Sequence, residues 1–190
     1  REAAAVALGS TLGMYTVDRL GIGEMFFDEL AKNDMRQIRT DPAGFTAGSY
    51  GVAFLLGNNA GNGYAVMLGN SGATDPLRLT RFTGGPSGTI TNIISSNTVD
   101  LNDFGAEYLS IKVTYNPSTN TWELFVRNDG TFVFSDPASG VLTSQGTATD
   151  NTYTGISLST MGGYWQGSTA ANQTAYFDNV KVVVGVAPVI

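Results

Sequence analysis

Four polar or aromatic residues near the C-terminus have types suited to holding a sugar. Tyr164 and Trp165 follow a Gly162-Gly163 pair, Gln166 comes next, and Asn172 lies a few residues on. A saccharide site needs an aromatic face to stack on pyranose C–H groups, and amides or carboxylates to hydrogen-bond hydroxyls. A loop carrying Tyr164, Trp165, Gln166 and Asn172 would supply both kinds of group. The alternative is that Trp165 packs over one end of the fold, as large aromatics do. A second cluster, Asp100, Asn102 and Asp103, gathers three oxygen donors in four positions. Calcium takes about six to eight oxygens from such loops, although the same residues also start Asx turns that need no ion.

The chain contains neither cysteine nor histidine, so disulfides, thiol nucleophiles and imidazole-dependent catalysis are all excluded. Ten basic residues stand against sixteen acidic ones, for a net charge of −6. The basic residues are scattered rather than striped, which excludes nucleic acid as a partner and disfavours an anionic membrane surface. Polysaccharide or a cell-surface protein fits better. Ala3 to Met14 is small and apolar but far short of the ~20 residues a membrane helix requires. It is expected to be an N-terminal strand or linker, with no membrane insertion.

Twenty-four glycines in 190 residues, nearly twice the average usage of about 7%, demand many turns. The clearest element runs from Leu109 to Gly130. Leu109, Ile111, Val113 and Tyr115 alternate with polar residues, Asn116 to Asn120 form a turn cluster, and Trp122, Leu124 and Val126 resume the alternation. That is an antiparallel hairpin buried on one side, with Trp122 in the core. Tyr50 to Leu56 is apolar on both faces, as a strand covered on both sides must be. Further strands are expected at Tyr64–Leu68, Leu77–Phe82, Thr89–Ile94, Thr131–Ser135, Tyr153–Leu158 and Ala175–Val184, with a surface loop over Asp136–Asn151. Met35–Thr40 reads as a short strand, and Gly23–Lys32 as either a short helix or a strand-and-loop crossing. Roughly ten strands with turns between them make an all-β, antiparallel two-sheet sandwich. Residues 41–190 carry the pattern. Residues 1–40 are poorly assigned and expected to join the same domain.

Three stretches, Tyr50–Leu56, Leu109–Val126 and Ser157–Val182, resemble the concanavalin A-like lectin/glucanase superfamily, and within it laminin-G-like modules. The resemblance spans about residues 45–184 and implies a jelly-roll topology, with the closing strand returning beside the first. It also implies that calcium can sit at a sandwich rim. The superfamily hosts enzymes, lectins and adhesion domains alike. Its glucanases use a Glu-x-Asp-x-x-Glu run. Glu24, Asp28 and Glu29 do not reproduce that spacing, and two acids have to sit roughly 5–5.5 Å apart for a retaining mechanism. Its lyases need a histidine, which this chain lacks. The expected function is therefore non-catalytic, namely carbohydrate binding or adhesion, with a structural spacer as the alternative and a polysaccharide-degrading enzyme behind both. The lightly charged, Thr/Asn/Gly-rich composition suggests a secreted or cell-surface protein, bacterial in type. The start at Arg1 suggests one module beside other domains of a larger parent.

Overall fold

A computed structural model describes residues 22–32, 51–69, 74–105, 107–132, 135–166 and 175–185. Ten strands lie among them: β1 (Ile22–Lys32), β2 (Gly51–Gly57), β3 (Asn62–Leu68), β4 (Leu77–Thr83), β5 (Thr89–Ser95), β6 (Tyr108–Asn116), β7 (Thr121–Asn128), β8 (Thr143–Thr149), β9 (Thr160–Gln166) and β10 (Ala175–Gly185). They form two five-stranded sheets, ordered β10-β1-β6-β7-β8 and β5-β4-β3-β2-β9. All the pairings among the described strands are antiparallel. The protein is an all-β antiparallel two-sheet sandwich.

The inner faces close on one another through side chains of alternating position. Leu109, Ile111, Val113 and Tyr115 of β6 and Trp122, Leu124 and Val126 of β7 meet Val52, Phe54 and Leu56 of β2, Val66 and Leu68 of β3, and Leu77 and Leu79 of β4. Burying one such side chain is worth ~1.5–3 kcal/mol, so this layer supplies the main drive to fold. The hairpin turn falls where its sequence places it. Asn116 Oδ1 accepts the Ser118 amide at 3.0 Å, Asn120 takes a left-handed φ of 52°, and its Oδ1 accepts the Tyr115 hydroxyl at 2.7 Å. Asparagine tolerates that conformation better than most residues.

β2 is buried on both faces. Ala53 and Leu55 belong to a second cluster with Ala65, Met67 and Phe82, on the side of the sheet away from the main core. The apolar-on-both-faces sequence of this strand predicted that arrangement.

Several elements differ from the sequence-based expectations. Gly23–Lys32 contains no helical turn; it is β1, paired with both β6 and β10. Met25, Phe27 and Leu30 register opposite Val113, Ile111 and Leu109, and a bulge between Asp28 and Leu30 inserts one residue. The bulge stretches a period of two into a gap of three, which imitates helical spacing. Asp136–Asn151 is not wholly loop, because β8 occupies Thr143–Thr149. It is an edge strand with the sequence TSQGTAT, and it carries almost no apolar pattern because little of it is buried. Thr131 and Phe132 form a bend rather than the start of a strand, with Phe132 92% exposed. Tyr153–Leu158 is not a strand either: residues 152–155 turn, and the strand begins later, at Thr160. Leu158 still enters the core and Tyr153 still packs on it, so their apolar character serves packing rather than pairing. Met35–Thr40 lies outside the described residues.

Candidate functional site

Tyr164 and Trp165 sit within strand β9, not on a loop. β9 is the edge of its sheet, and its register pairs Tyr164 with Ala53, Trp165 with Val52 and Gln166 with Gly51. Neighbouring residues of a strand belong to opposite faces, so Tyr164 and Trp165 cannot form one platform. Val52 is a main-core residue and Ala53 a member of the second cluster, which places Trp165 at a core-side register and Tyr164 on the outer face. Tyr164 is half-buried and packs on that second cluster. Gln166, two residues on, shares its face. Of Trp165 and Gln166 only the backbone is described, and Asn172 lies outside the described residues.

Gly162 and Gly163 belong to the strand instead of breaking it. The ring of Phe177, from the opposite sheet, comes within 2.7 Å of where a Gly163 Cβ would stand, and it lies 6.0 Å from the Phe54 ring centre. Glycine here lets Phe177 enter between the sheets.

At the other candidate cluster, the Asp103 carboxylate accepts the Asp75 amide at 2.9 Å, and the Asp75 carbonyl accepts the Phe104 amide at 3.1 Å. Asp100 adopts a φ of 67°. Asp100, Asn102 and Asp103 are all exposed. Among the described residues no three acidic side chains converge on a point that would hold a metal ion. An ion drawing on Asp103 would compete with the Asp75 amide for that carboxylate. With this geometry, a melting temperature raised by millimolar calcium over a chelated sample is the result expected if the corner holds an ion. Identical curves mean that these residues act as turn formers alone.

Among the described residues, one densely bonded polar centre is a residue that sequence inspection did not single out. Asp150, just past β8, accepts the Tyr64 hydroxyl at 2.8 Å and the Thr152 amide at 3.0 Å on one carboxylate oxygen, and pairs with Arg81 through the other. Its carbonyl accepts Trp122 Nε1–H at 2.9 Å, and its amide donates to the Asn120 carbonyl at 3.0 Å. Trp122 lies between Tyr64 and Tyr115, with ring centres 4.4 and 4.6 Å away. Tyr153 donates its amide to the Tyr64 oxygen at 3.1 Å, sets its ring edge-on to Tyr64 at 6.1 Å, and shares a hydrogen bond with Thr83 through its hydroxyl. One residue thereby fastens the first sheet, through Trp122 on its carbonyl, to the second, through Tyr64 and Arg81 on its carboxylate.

The electrostatics agree with that arrangement. Burial alone would raise the Asp150 pKa, but the Thr152 amide, the Tyr64 hydroxyl and Arg81 outweigh it and hold the carboxyl below its ordinary value. Burial, together with the adjacent Asp150 charge, pushes the Tyr64 hydroxyl well above its ordinary value, partly opposed by the Tyr153 amide.

A second tie stabilises the far loop. Arg127 Nε donates to Asp129 at 2.5 Å, its Nη2 donates to Ser110 Oγ at 2.9 Å and to the Asp136 carbonyl at 3.2 Å, and its Nη1 donates to the Ser139 carbonyl. These contacts cinch Asp129, Asp136 and Ser139 onto β6 and β7.

No protein-family model matches the chain, and neither a curated protein nor a solved structure matches it.

Proposed function

We propose that this chain is a non-catalytic recognition module that binds polysaccharide, or another cell-surface protein, on behalf of a larger secreted or surface-attached bacterial protein. Its concanavalin A-like, jelly-roll character is part of the same proposal. The observation that carries it is the placement of Tyr164. An aromatic side chain stands half-buried on the outer face of an edge strand, backed by Ala53, Leu55, Ala65, Met67 and Phe82, with Gln166 following on the same face. A ring held from behind by apolar neighbours costs little to order when a sugar stacks on it. The non-catalytic part is supported by the way the described acids are used: Asp150, Asp129 and Asp103 each bind donors of the fold itself.

On a glycan array, wild-type protein should retain a defined set of neutral oligosaccharides. Tyr164→Ala should lose at least about tenfold in affinity, the scale of a stacking contact worth ~1.4 kcal/mol, without a matching loss of melting temperature. Unchanged binding by the variant removes Tyr164 from the site. The spacer alternative is favoured by the internal use of the buried polar groups, since Gln145, Thr80 and Ser96 are likewise spent on backbone partners. It predicts that the wild type binds no glycan at all.

A further inference from the structure

The rim around Asp150 offers groups that the clip itself does not consume. Arg81 is one-third exposed, and among the described residues its guanidinium commits only Nη1, to Asp150, leaving the Nε and Nη2 donors. Thr83, two positions along β4, is exposed; Tyr153 is half-exposed and hydrogen-bonded to it. Asn151 and Thr152 are exposed beside them, and Gly155 has open space around it. Aromatic surface, forked donors and hydroxyls therefore meet at one edge, on a frame fixed by five contacts to a single residue.

We infer that this rim is a saccharide subsite separate from the β9 face, and that it takes a neutral pyranose. The inference rests on the proposal that the module recognises glycans. The Tyr153 ring is the stacking surface, Arg81 donates to ring or hydroxyl oxygens, and Thr83 exchanges hydrogen bonds with a hydroxyl. Neutrality follows from charge: Asp150 already balances Arg81, and a chain of net charge −6 repels polyanions. Because Asp150 holds Arg81 and the 150–153 turn in place before any ligand arrives, little ordering remains to be done on binding.

The test is a titration of isotope-labelled protein with neutral cello-, laminari- and manno-hexaose, with a galacturonate hexamer as the charged comparison. Amides of residues 83–85 and 151–155 should shift with a neutral probe. Arg81→Lys keeps the ion pair and the fold but loses the fork, and it should weaken binding by about tenfold; Tyr153→Ala should weaken it at least as much. Should Tyr153→Ala fail to fold, Arg81→Lys and the shift map decide. Wild-type binding that shifts only β9 amides and is indifferent to Arg81→Lys overturns the rim subsite and leaves the Tyr164 face standing. Preference for galacturonate overturns the neutral assignment. Absence of binding to every probe overturns both proposals together.

Discussion

Asp150→Ala should melt about 6–12 °C below wild type. The carboxylate is only 6% exposed and holds three donors, the Tyr64 hydroxyl, the Thr152 amide and Arg81. Removing it leaves the Tyr64 hydroxyl buried without an acceptor for its proton, and turns Arg81 from a paired cation into an unpaired one. An abandoned buried donor costs about 1–3 kcal/mol. Loss of the ion pair adds less than a fully buried pair would, because Arg81 is 33% exposed and water can screen it. About 3 kcal/mol in total corresponds, for a domain of this size, to the stated shift at about 2–4 °C per kcal/mol. Asp150→Asn retains an oxygen for Tyr64 and Thr152 and should fall between the two.

Asp150 and its hydrogen-bonded partner Tyr64 set the two ends of the pH profile. Asp150 has a folded pKa below its unfolded value of about 3.8. Its contribution is therefore complete above that value and disappears as pH falls through the lower folded pKa. Tyr64 is the opposite case: its folded pKa lies above the unfolded value of about 10, so its contribution is complete below pH ~10 and is lost as pH rises past it. Asp150→Asn should flatten the acid limb of wild-type stability and Tyr64→Phe the alkaline limb. If Asp150→Ala melts within about 1 °C of wild type at neutral pH, the two sheets do not depend on this residue.

The parts of the fold that could be read in advance are those where one face is dry and the strand is regular. β6 and β7 alternate without interruption, and β2 declares its two buried faces by having no polar residue between Val52 and Leu56. Where regularity fails, so does the pattern. The bulge beside Asp28 disguised β1, and the exposed edge position of β8 left it with only Ala148 on the apolar side. The candidate platform at Tyr164–Trp165 joined two residue types suited to stacking, but the strand that carries the pair divides it between faces. The Asp150 clip was invisible for a different reason. Tyr64, Arg81 and Thr83 lie 86, 69 and 70 residues away from their partners at positions 150 and 153, and each is unexceptional alone. Their meaning exists only once β3, β4 and the turn after β8 have been brought to the same end of the sandwich. A lone aspartate beside an asparagine carries no local signal for that.

Gly63→Ala should be the most damaging single-methyl change among the glycines at strand pairings. A Cβ there would stand 2.0 Å from the Leu56 carbonyl oxygen and 2.6 Å from the Gly57 Cα, both backbone atoms of the neighbouring strand. Side chains can swing away from such an intrusion, but a paired backbone cannot without opening the ladder. Gly63 registers opposite Gly57 on β2 and Phe82 on β4. Phe82 fills the space that the two glycines leave, its ring tip 3.0 Å from where a Gly57 Cβ would be, and it anchors the second cluster with Leu55, Ala65 and Met67. Forcing β2 and β3 apart at this point would loosen the ladder and the packing behind Tyr164 together. The expected cost exceeds about 3 kcal/mol, in the range of severe overpacking, with a fall in melting temperature of roughly 6–12 °C. Gly155→Ala is the matched control: nothing lies within 4 Å of its Cβ position, and its expected effect stays within about 0.5 kcal/mol. Equal melting temperatures for the two variants would mean that β2 and β3 do not pair with Gly63 against Gly57, and the outer face assigned to Tyr164 would lose its foundation.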